Sequence, residues 1–289
     1  MGRTRAAHPV NPAPRPQSEF PWRGRLAALR NGLPIEVDSR DMIGREILRQ
    51  GCWEWETYHF LESWLKPGMT VIDVGANVGQ YSLLASAGVG AGGRVRALEP
   101  HPGLYAVLCR NLRRARCANA VAHPLALGAA DERRDLFLHR IDNVGASAFR
   151  PLDPSRPGPS VRVAATTLDA YVEAEGLRQV DLVKIDVEGA ELEVLDGATT
   201  TLAANPDVVL VVEFLRDNAR RFGHSVEDLE ARLRGLGFSL FSITETGLTR
   251  YAPVAELAVN VVACRRLMPI LRGLPQPHAA LLLSRLGRT

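Results

Sequence analysis

The sequence lacks the features that mark a membrane or secreted protein. No apolar run reaches the roughly 20 residues that a membrane-spanning helix needs. The first twenty residues contain no apolar segment of the kind that a secretory signal carries. We therefore expect a cytoplasmic protein without a membrane span.

The sequence also has few cysteines, and their spacing excludes two common uses. The four are Cys52, Cys109, Cys117 and Cys264, and no two of them form a CxxC pair. A zinc knuckle and a dithiol redox motif are therefore not expected. We interpret these cysteines as buried free thiols in a reducing compartment. No histidine completes a ligand set with the acidic residues, so we predict no metal site.

A strong excess of charge is absent as well. The chain of 289 residues is 46% hydrophobic and 23% charged, with a net charge of +3. This balance is ordinary for a globular protein and gives little support for nucleic acid as a partner. We expect a small-molecule partner, while the oligomeric state does not follow from the sequence.

The composition divides the chain into four parts. Prolines at positions 9, 12, 14 and 16 lie among arginines and indicate a disordered tail. Apolar residues between Arg40 and Leu65 recur with helical spacing. We predict a disordered tail at 1–20, an N-terminal helical segment at 21–69, a catalytic domain at 70–265 and a C-terminal tail at 266–289.

Strand-like and helix-like segments alternate from residue 70 onwards. The strand-like segments are 70–74, 93–100, 120–128, 181–187, 207–214, 238–243 and 258–265. This alternation predicts an α/β fold, doubly wound around a mostly parallel sheet. The last two strands have no helix between them and should pair antiparallel. The segment from 129 to about 171 interrupts the pattern, adds a short edge strand, and is expected to shape a substrate pocket.

The stretch VIDVGANVGQYSLL, residues 71–84, reads as a strand, a glycine-containing turn and a helix. Gly75 and Gly79 let the backbone approach a ligand, and the start of the helix offers free N–H groups. Asp73 would repel a diphosphate, whereas a ligand with a sulfonium and an ammonium group would be attracted. This pattern favours S-adenosylmethionine over a dinucleotide. The alternative is a structural turn in which Asp73 is only a cap.

Glu99 ends the second strand, twenty residues after Gly79. An acid at this place accepts hydrogen bonds from ribose hydroxyls. Because NAD also has an adenosine ribose, an NAD-dependent oxidoreductase remains an alternative at this point.

The stretch DLVKIDVEGAE carries a second group of charged residues, at the end of the fourth strand. Asp186 and Glu188 should reach the same edge of the sheet as Gly75. Lys184 lies between apolar residues, so it needs a carboxylate partner, and the candidates are Asp73, Asp186 and Glu213. The alternative is that Asp186 caps the next helix and that Glu188 only favours the positive end of that helix.

Methyl transfer to an aliphatic hydroxyl requires a base to accept the proton. An acid or a lysine at the edge of the sheet can serve, as can His101, His123 or His139. The sequence reveals no partner for any of the three histidines, which leaves the identity of the base open.

Several of these stretches together resemble the FkbM family of S-adenosylmethionine-dependent methyltransferases. They are VIDVGANVGQYSLLAS, ALEPHP, HPLALG, NVGAS, TLDAY and DLVKIDVEGAELEVLDGA with VVLVVEF. The resemblance covers about residues 51–215 and extends more loosely to 265. It implies a class I methyltransferase sheet of seven strands in the order 3-2-1-4-5-7-6. It also implies O-methylation of a small molecule or a sugar.

The resemblance also implies roles for individual residues. The expected cofactor-binding residues are Asp73, Gly75, Ala76, Asn77, Gly79, Glu99 and Pro100, with Leu125, Ala126 and Leu127 near the adenine. Asp186 and Glu188 would face the acceptor as catalytic residues. Asn143 and Ser147 would lie near the pocket as substrate-binding residues, unless they only form a turn. Besides the oxidoreductase, a non-catalytic cofactor-binding module and a nucleic-acid methyltransferase are alternatives.

Overall fold

The computed structural model describes residues 22–139, 141–244, 247–253 and 258–267. The predicted disordered tail at 1–20 lies outside the described residues, as does most of the predicted C-terminal tail at 266–289. Among the described residues no helix is both long and apolar enough to cross a membrane.

Thirteen strands and nine α-helices are found in the described residues. The strands are β1 (Gly24–Ala28), β2 (Pro34–Asp38), β3 (Thr70–Val74), β4 (Arg94–Leu98), β5 (Ala120–His123), β6 (Ala126–Leu127), β7 (Glu132–Phe137), β8 (Ser160–Thr166), β9 (Leu182–Ile185), β10 (Val209–Leu215), β11 (Ser239–Thr244), β12 (Gly247–Arg250) and β13 (Ala258–Cys264). The helices are α1 (Met42–Gln50), α2 (Trp55–Trp64), α3 (Gln80–Val89), α4 (Pro102–Arg114), α5 (Leu168–Ala174), α6 (Glu191–Asp196), α7 (Thr199–Ala204), α8 (Arg216–Phe222) and α9 (Val226–Gly235). A 3₁₀ segment covers Ile141–Ala146.

Eight strands form the main sheet, in the order β12-β11-β13-β10-β9-β3-β4-β5. The strands from β10 to β5 pair parallel, and β13 pairs antiparallel with both β10 and β11. The predicted fold class is confirmed, since the seven predicted strands lie in the order 3-2-1-4-5-7-6. The short strand β12 extends the sheet beyond β11 and was not predicted.

The predicted third strand, 120–128, is divided in two. Only β5 joins the main sheet, whereas β6 pairs with β8 in a separate sheet that also contains β7. Pro124 lies between them and has no N–H to donate, so the ladder ends there. The short edge strand predicted within the segment from 129 to about 171 is β8, which lies in this small sheet and not at an edge of the main one.

The segment 21–69 differs from a continuous helical pattern. It contains the hairpin β1–β2 and then two helices, because Gly51 ends α1 with a φ of +82°. The buried Asn111 of α4 attaches the hairpin. Its side chain accepts a hydrogen bond from the N–H of Glu36 and donates to the carbonyls of Glu36 and Val78.

Apolar side chains fill both faces of the main sheet. Val183, Leu210 and Val212 pack on one face, while Val71, Leu182 and Val211 pack on the other. Strands buried on both faces are expected for a parallel sheet that helices cover on each side. All four cysteines are unpaired, but only Cys52 and Cys264 are buried.

Candidate active site

A cavity of about 330 Å³ opens at the carboxyl ends of β3, β4, β9 and β10. This is where open α/β sheets bind ligands, and the volume lies at the lower end for small-molecule sites. Its lining includes twelve of the fourteen predicted site residues: Gly75, Ala76, Asn77, Glu99, Pro100, Leu125, Ala126, Leu127, Asn143, Ser147, Asp186 and Glu188. The two that do not line it are Asp73 and Gly79.

The glycines in the turn after β3 are required by contacts within the protein as well as by space for a ligand. Gly75 has a φ of +82°, and a Cβ there would overlap the carbonyl oxygen of Asp186. At Gly79 a Cβ would lie 2.6 Å from Cδ1 of Leu108 on α4. Both glycines therefore allow strands and helices to approach each other closely, and Gly79 acts behind the cavity wall.

Glu99 lies at the centre of the turn's hydrogen bonds. Its carboxylate accepts the N–H of Asn77 at 2.8 Å and the N–H of His101 at 2.8 Å. Burial raises the pKa of Glu99 to about 7, against the effect of those two hydrogen bonds. A carboxylate in this position still has lone pairs that can accept hydrogen bonds from a ligand's hydroxyls.

Asp73, predicted as a cofactor-binding residue, does not line the cavity. It is 2% exposed, and its carboxylate accepts a hydrogen bond of 2.6 Å from the hydroxyl of Ser82 in the first turn of α3. Asp73 is also paired in register with Lys184 of β9, so the two side chains share one face of the sheet. The lysine charge opposes the burial that raises the pKa of Asp73. Asp73 is thus a buried countercharge of Lys184.

Lys184 finds its closest partner in Asp186, one of its three predicted candidates. The ammonium group donates a hydrogen bond of 2.6 Å to Oδ2 of Asp186. The lysine side chain is 2% exposed, whereas that of Asp186 is 23% exposed. Both residues line the cavity, and the carboxylate is the more exposed of the two.

Tyr81 and Glu54 complete this buried network, and sequence reasoning assigned a role to neither. The Lys184 ammonium lies 4.6 Å from the centre of the Tyr81 ring. The Tyr81 hydroxyl donates to Glu54 at 2.6 Å, and Asn260 of β13 donates to the other oxygen of Glu54 at 2.7 Å. Glu54 has a φ of +53° directly before α2, a conformation that no local pattern signals.

The turn after β9 holds Glu188 in an uncommon backbone conformation. Glu188 has a φ of +58°, its Oε2 accepts a hydrogen bond from Asn218, and its carbonyl accepts one from Arg221. Burial and then the charge of Asp186 raise the pKa of Glu188 to about 8. Helix α6 begins at Glu191, and its N-cap has no side-chain hydrogen bond. The N-cap residue is Ala190, so the alternative that Asp186 caps this helix is wrong.

The histidines contribute little to the cavity's proton chemistry. His101 lines the wall, but its Nδ1 accepts the N–H groups of Gly103 and Leu104 as the N-cap of α4. Burial lowers its pKa to about 4. His123 and His139 do not line the cavity. Asp186 is thus better placed than any of the three to accept a proton there.

Residues from the start of α1 and from the 3₁₀ segment form part of the cavity wall. Asp41, the N-cap of α1, accepts the N–H groups of Gly44 and Val144, which ties α1 to the 3₁₀ segment. Asn143 lies in this segment and lines the cavity. The hydroxyl of Ser147 donates to the Val144 carbonyl at 2.8 Å, so the turn-forming role of Ser147 is observed.

The wall also includes apolar residues that the sequence did not single out. They are Met42, Ile43, Trp53, Leu104, Leu136 and Phe149. They come from five different parts of the chain, and no motif connects them. With Ala126 and Leu127 they make a surface suited to an adenine ring, while Glu99 is suited to a ribose. The residues present therefore fit an adenosine-containing cofactor.

Comparison with known proteins gives the family. The model for the methyltransferase FkbM domain matches residues 73–240. The chain is 30% identical over 233 residues to 31-O-demethyl-FK506 methyltransferase FkbM of Streptomyces tacrolimicus, covering 71% of this chain and 84% of that protein. It is 29% identical over 140 residues to the hexuronic acid methyltransferase AglP of Haloferax volcanii, covering 48% of this chain and 54% of that protein.

Among solved structures, one similar chain is a SAM-dependent methyltransferase from Aquifex aeolicus, 16% identical. The alignment has a TM-score of 0.42 and covers 72% of this chain and 88% of that one. The FkbM match favours a methyltransferase over the NAD-dependent alternative, and it implies the predicted cofactor, S-adenosylmethionine. The chain belongs to the FkbM methyltransferase family.

Proposed function

We propose that this protein transfers a methyl group from S-adenosylmethionine to a hydroxyl of a small molecule or a sugar. The observation that carries the proposal is the pair of Lys184 and Asp186, which presents a carboxylate to the cavity that Glu99 also lines. The two named relatives support it: one is called a 31-O-demethyl-FK506 methyltransferase and the other a hexuronic acid methyltransferase.

Each residue has a defined part in this proposal. When bound, the cofactor supplies an electrophilic methyl group on a sulfonium. Glu99 accepts hydrogen bonds from the ribose hydroxyls, and Ala126 and Leu127 pack near the adenine. Asp186 accepts the proton of the acceptor hydroxyl, because its carboxylate lines the cavity and is held there by the hydrogen bond from Lys184. Asp73 acts through its charge on Lys184 and not by contact with the cofactor.

The remaining predicted residues have positioning roles. Gly75 and Gly79 allow the turn to form, and Ala76, Asn77 and Pro100 line the cofactor side of the cavity. Glu188 and Asn143 face the acceptor, while Ser147 shapes the loop that carries Asn143. We place the activity in the cytoplasm, where unpaired thiols stay reduced.

The test is a screen of hydroxylated acceptors with methyl-labelled S-adenosylmethionine. The panel contains methyl glycosides, macrolide alcohols and the corresponding amines and carboxylic acids. We expect label on an ether oxygen, located by mass spectrometry after purification of the product. Label only on nitrogen or on a carboxylate would contradict O-methylation of a hydroxyl.

A further inference from the structure

Glu213 is the one acidic residue lining the cavity to which the proposed function gives no part. It lies near the end of β10, beside β9, where Val212 pairs with Ile185. The residues that follow these two, Glu213 and Asp186, therefore reach the same edge of the sheet at the same level. Both line the cavity.

One carboxyl oxygen of Glu213 has no hydrogen-bond partner among the described residues. Its Oε2 is inaccessible to solvent, although Glu213 belongs to the cavity wall. Buried polar atoms in proteins are normally paired, and an unpaired one costs free energy. Glu213 as a whole is partly exposed at the cavity wall, so its carboxyl group is open to a ligand bound there.

The charged groups that act most strongly on Glu213 are all acidic. They are Asp186, Glu188 and Glu191 after β9, and Glu54 at the start of α2. Across β13 its neighbour is Asn260, which carries no charge. Burial and these acids raise the pKa of Glu213 well above its ordinary value. The nearby cation, Lys184, is engaged by Asp186. The raised pKa favours the protonated form of the Glu213 side chain, and a protonated carboxyl group can donate a hydrogen bond.

Asp186 and Glu213 are thus neighbouring acids with different surroundings, since Asp186 accepts a hydrogen bond from the Lys184 ammonium and Glu213 Oε2 has no such partner. In many active sites two neighbouring acids with different surroundings take different roles, one as a base and the other as a hydrogen-bond donor or acid. We propose that Glu213 binds a second oxygen of the acceptor, beside the hydroxyl that Asp186 deprotonates, so that diols and polyols are the preferred substrates. This inference rests on the proposed function.

Two substitutions distinguish a hydrogen bond from Glu213 to the acceptor from a purely structural role of this residue. Glu213→Gln keeps a neutral donor of the same shape, and Glu213→Leu removes it. Methyl glycosides and their monodeoxy analogues are offered with labelled cofactor. For the wild type we expect a KM about tenfold lower for the parent glycoside than for the analogue that lacks the second oxygen. We expect Glu213→Gln to retain this preference and Glu213→Leu to lose it. Glu173→Gln, on the exposed face of α5, is the matched control.

The pH profile gives a second readout. Ionisation of Glu213 removes its donor, so wild-type KM should rise at alkaline pH, whereas Glu213→Gln should show no such rise. If Glu213→Leu does not fold, this profile alone decides. A retained preference in Glu213→Leu, or the same alkaline rise in Glu213→Gln, would overturn the role of Glu213 and leave methyl transfer standing. If the wild type labels no hydroxyl of any glycoside, the proposed function fails, and the role of Glu213 fails with it.

Discussion

The proposed cofactor side of the cavity, around Glu99, and the proposed acceptor side, around Asp186, are stabilised by different kinds of contact. On the cofactor side, Glu99 is fixed by backbone N–H groups of residues close to it in the sequence or in the neighbouring turn. On the acceptor side, Asp186 depends on Lys184, Tyr81 and Glu54, which are side chains from three separate elements. Changes on the cofactor side should therefore act on binding, whereas changes on the acceptor side should act on turnover and stability.

The largest effect is expected from Asp186→Asn. The amide keeps the shape but cannot accept the acceptor's proton, so kcat should fall by about 10²- to 10⁴-fold. Cofactor affinity, measured by isothermal titration, should change by less than about threefold, since Asp186 lies on the acceptor side. Asp207→Asn, at the opposite end of β10, is the matched control. A kcat within threefold of wild type would remove Asp186 from catalysis.

The second prediction concerns the buried cation. Lys184→Met leaves Asp73 and Asp186 without their countercharge, and removal of one partner from a buried ion pair costs about 3–5 kcal/mol. Urea unfolding should show this loss. In the folded fraction kcat should also fall, because the Asp186 carboxylate loses the ammonium group that holds it by a hydrogen bond.

The chain supplies its own control for that experiment. Only two lysines occur in the sequence, and the other, Lys66, is exposed. Lys66→Met should change the free energy of unfolding by less than about 0.5 kcal/mol. Equal effects of the two substitutions would show that Lys184 is not a central part of the acceptor side.

The third prediction concerns a substitution that affects cofactor binding alone. Glu99→Gln replaces charge-assisted hydrogen bonds to the ribose with neutral ones, so the Kd for S-adenosylmethionine should rise about 10-fold or more. At saturating cofactor, kcat should remain within about threefold of the wild-type value. An unchanged Kd would refute contact between Glu99 and the ribose.

The smallest predicted effect is a pH dependence of cofactor binding. The pKa of Glu99 is raised to about 7 in the free protein. Ribose hydroxyls favour the carboxylate, so binding must expel the proton at lower pH, and affinity should fall as the pH falls through 7. The Kd at pH 6 should be about fivefold higher than at pH 7. In Glu99→Gln this dependence should disappear, and its persistence there would assign it to another group.

The same contrast explains what the sequence could predict. The alternation of strands and helices, the turn from Gly75 to Gly79 and the position of Glu99 follow from local patterns, and the structure contains all three. The strand order follows from the family resemblance, and the structure has that order as well. The role of Asp73 was inferred from its place in the motif alone. The orientation of the Asp73 side chain depends on its hydrogen bond with Ser82 and on the strand register with Lys184. Neither contact can be read from a local sequence pattern. The methyltransferase assignment therefore rests on the family and the cavity, not on direct contact with Asp73.

The acceptor side was predicted less completely for a related reason. Lys184 was recognised as needing a carboxylate because a charge inside an apolar strand is conspicuous. Its connection to Tyr81 and Glu54 joins residues far apart in sequence and requires the left-handed conformation of Glu54. The split of the strand at Pro124 moved Ala126 and Leu127 into a second sheet, yet both still line the cavity.

A crystal structure of the protein with S-adenosylhomocysteine tests the central claim most directly. We expect the ribose hydroxyls within hydrogen-bonding distance of the Glu99 carboxylate and the sulfur directed towards the part of the cavity that contains Asp186 and Glu213. A ribose bound away from Glu99, or a sulfur directed away from Asp186, would contradict the account.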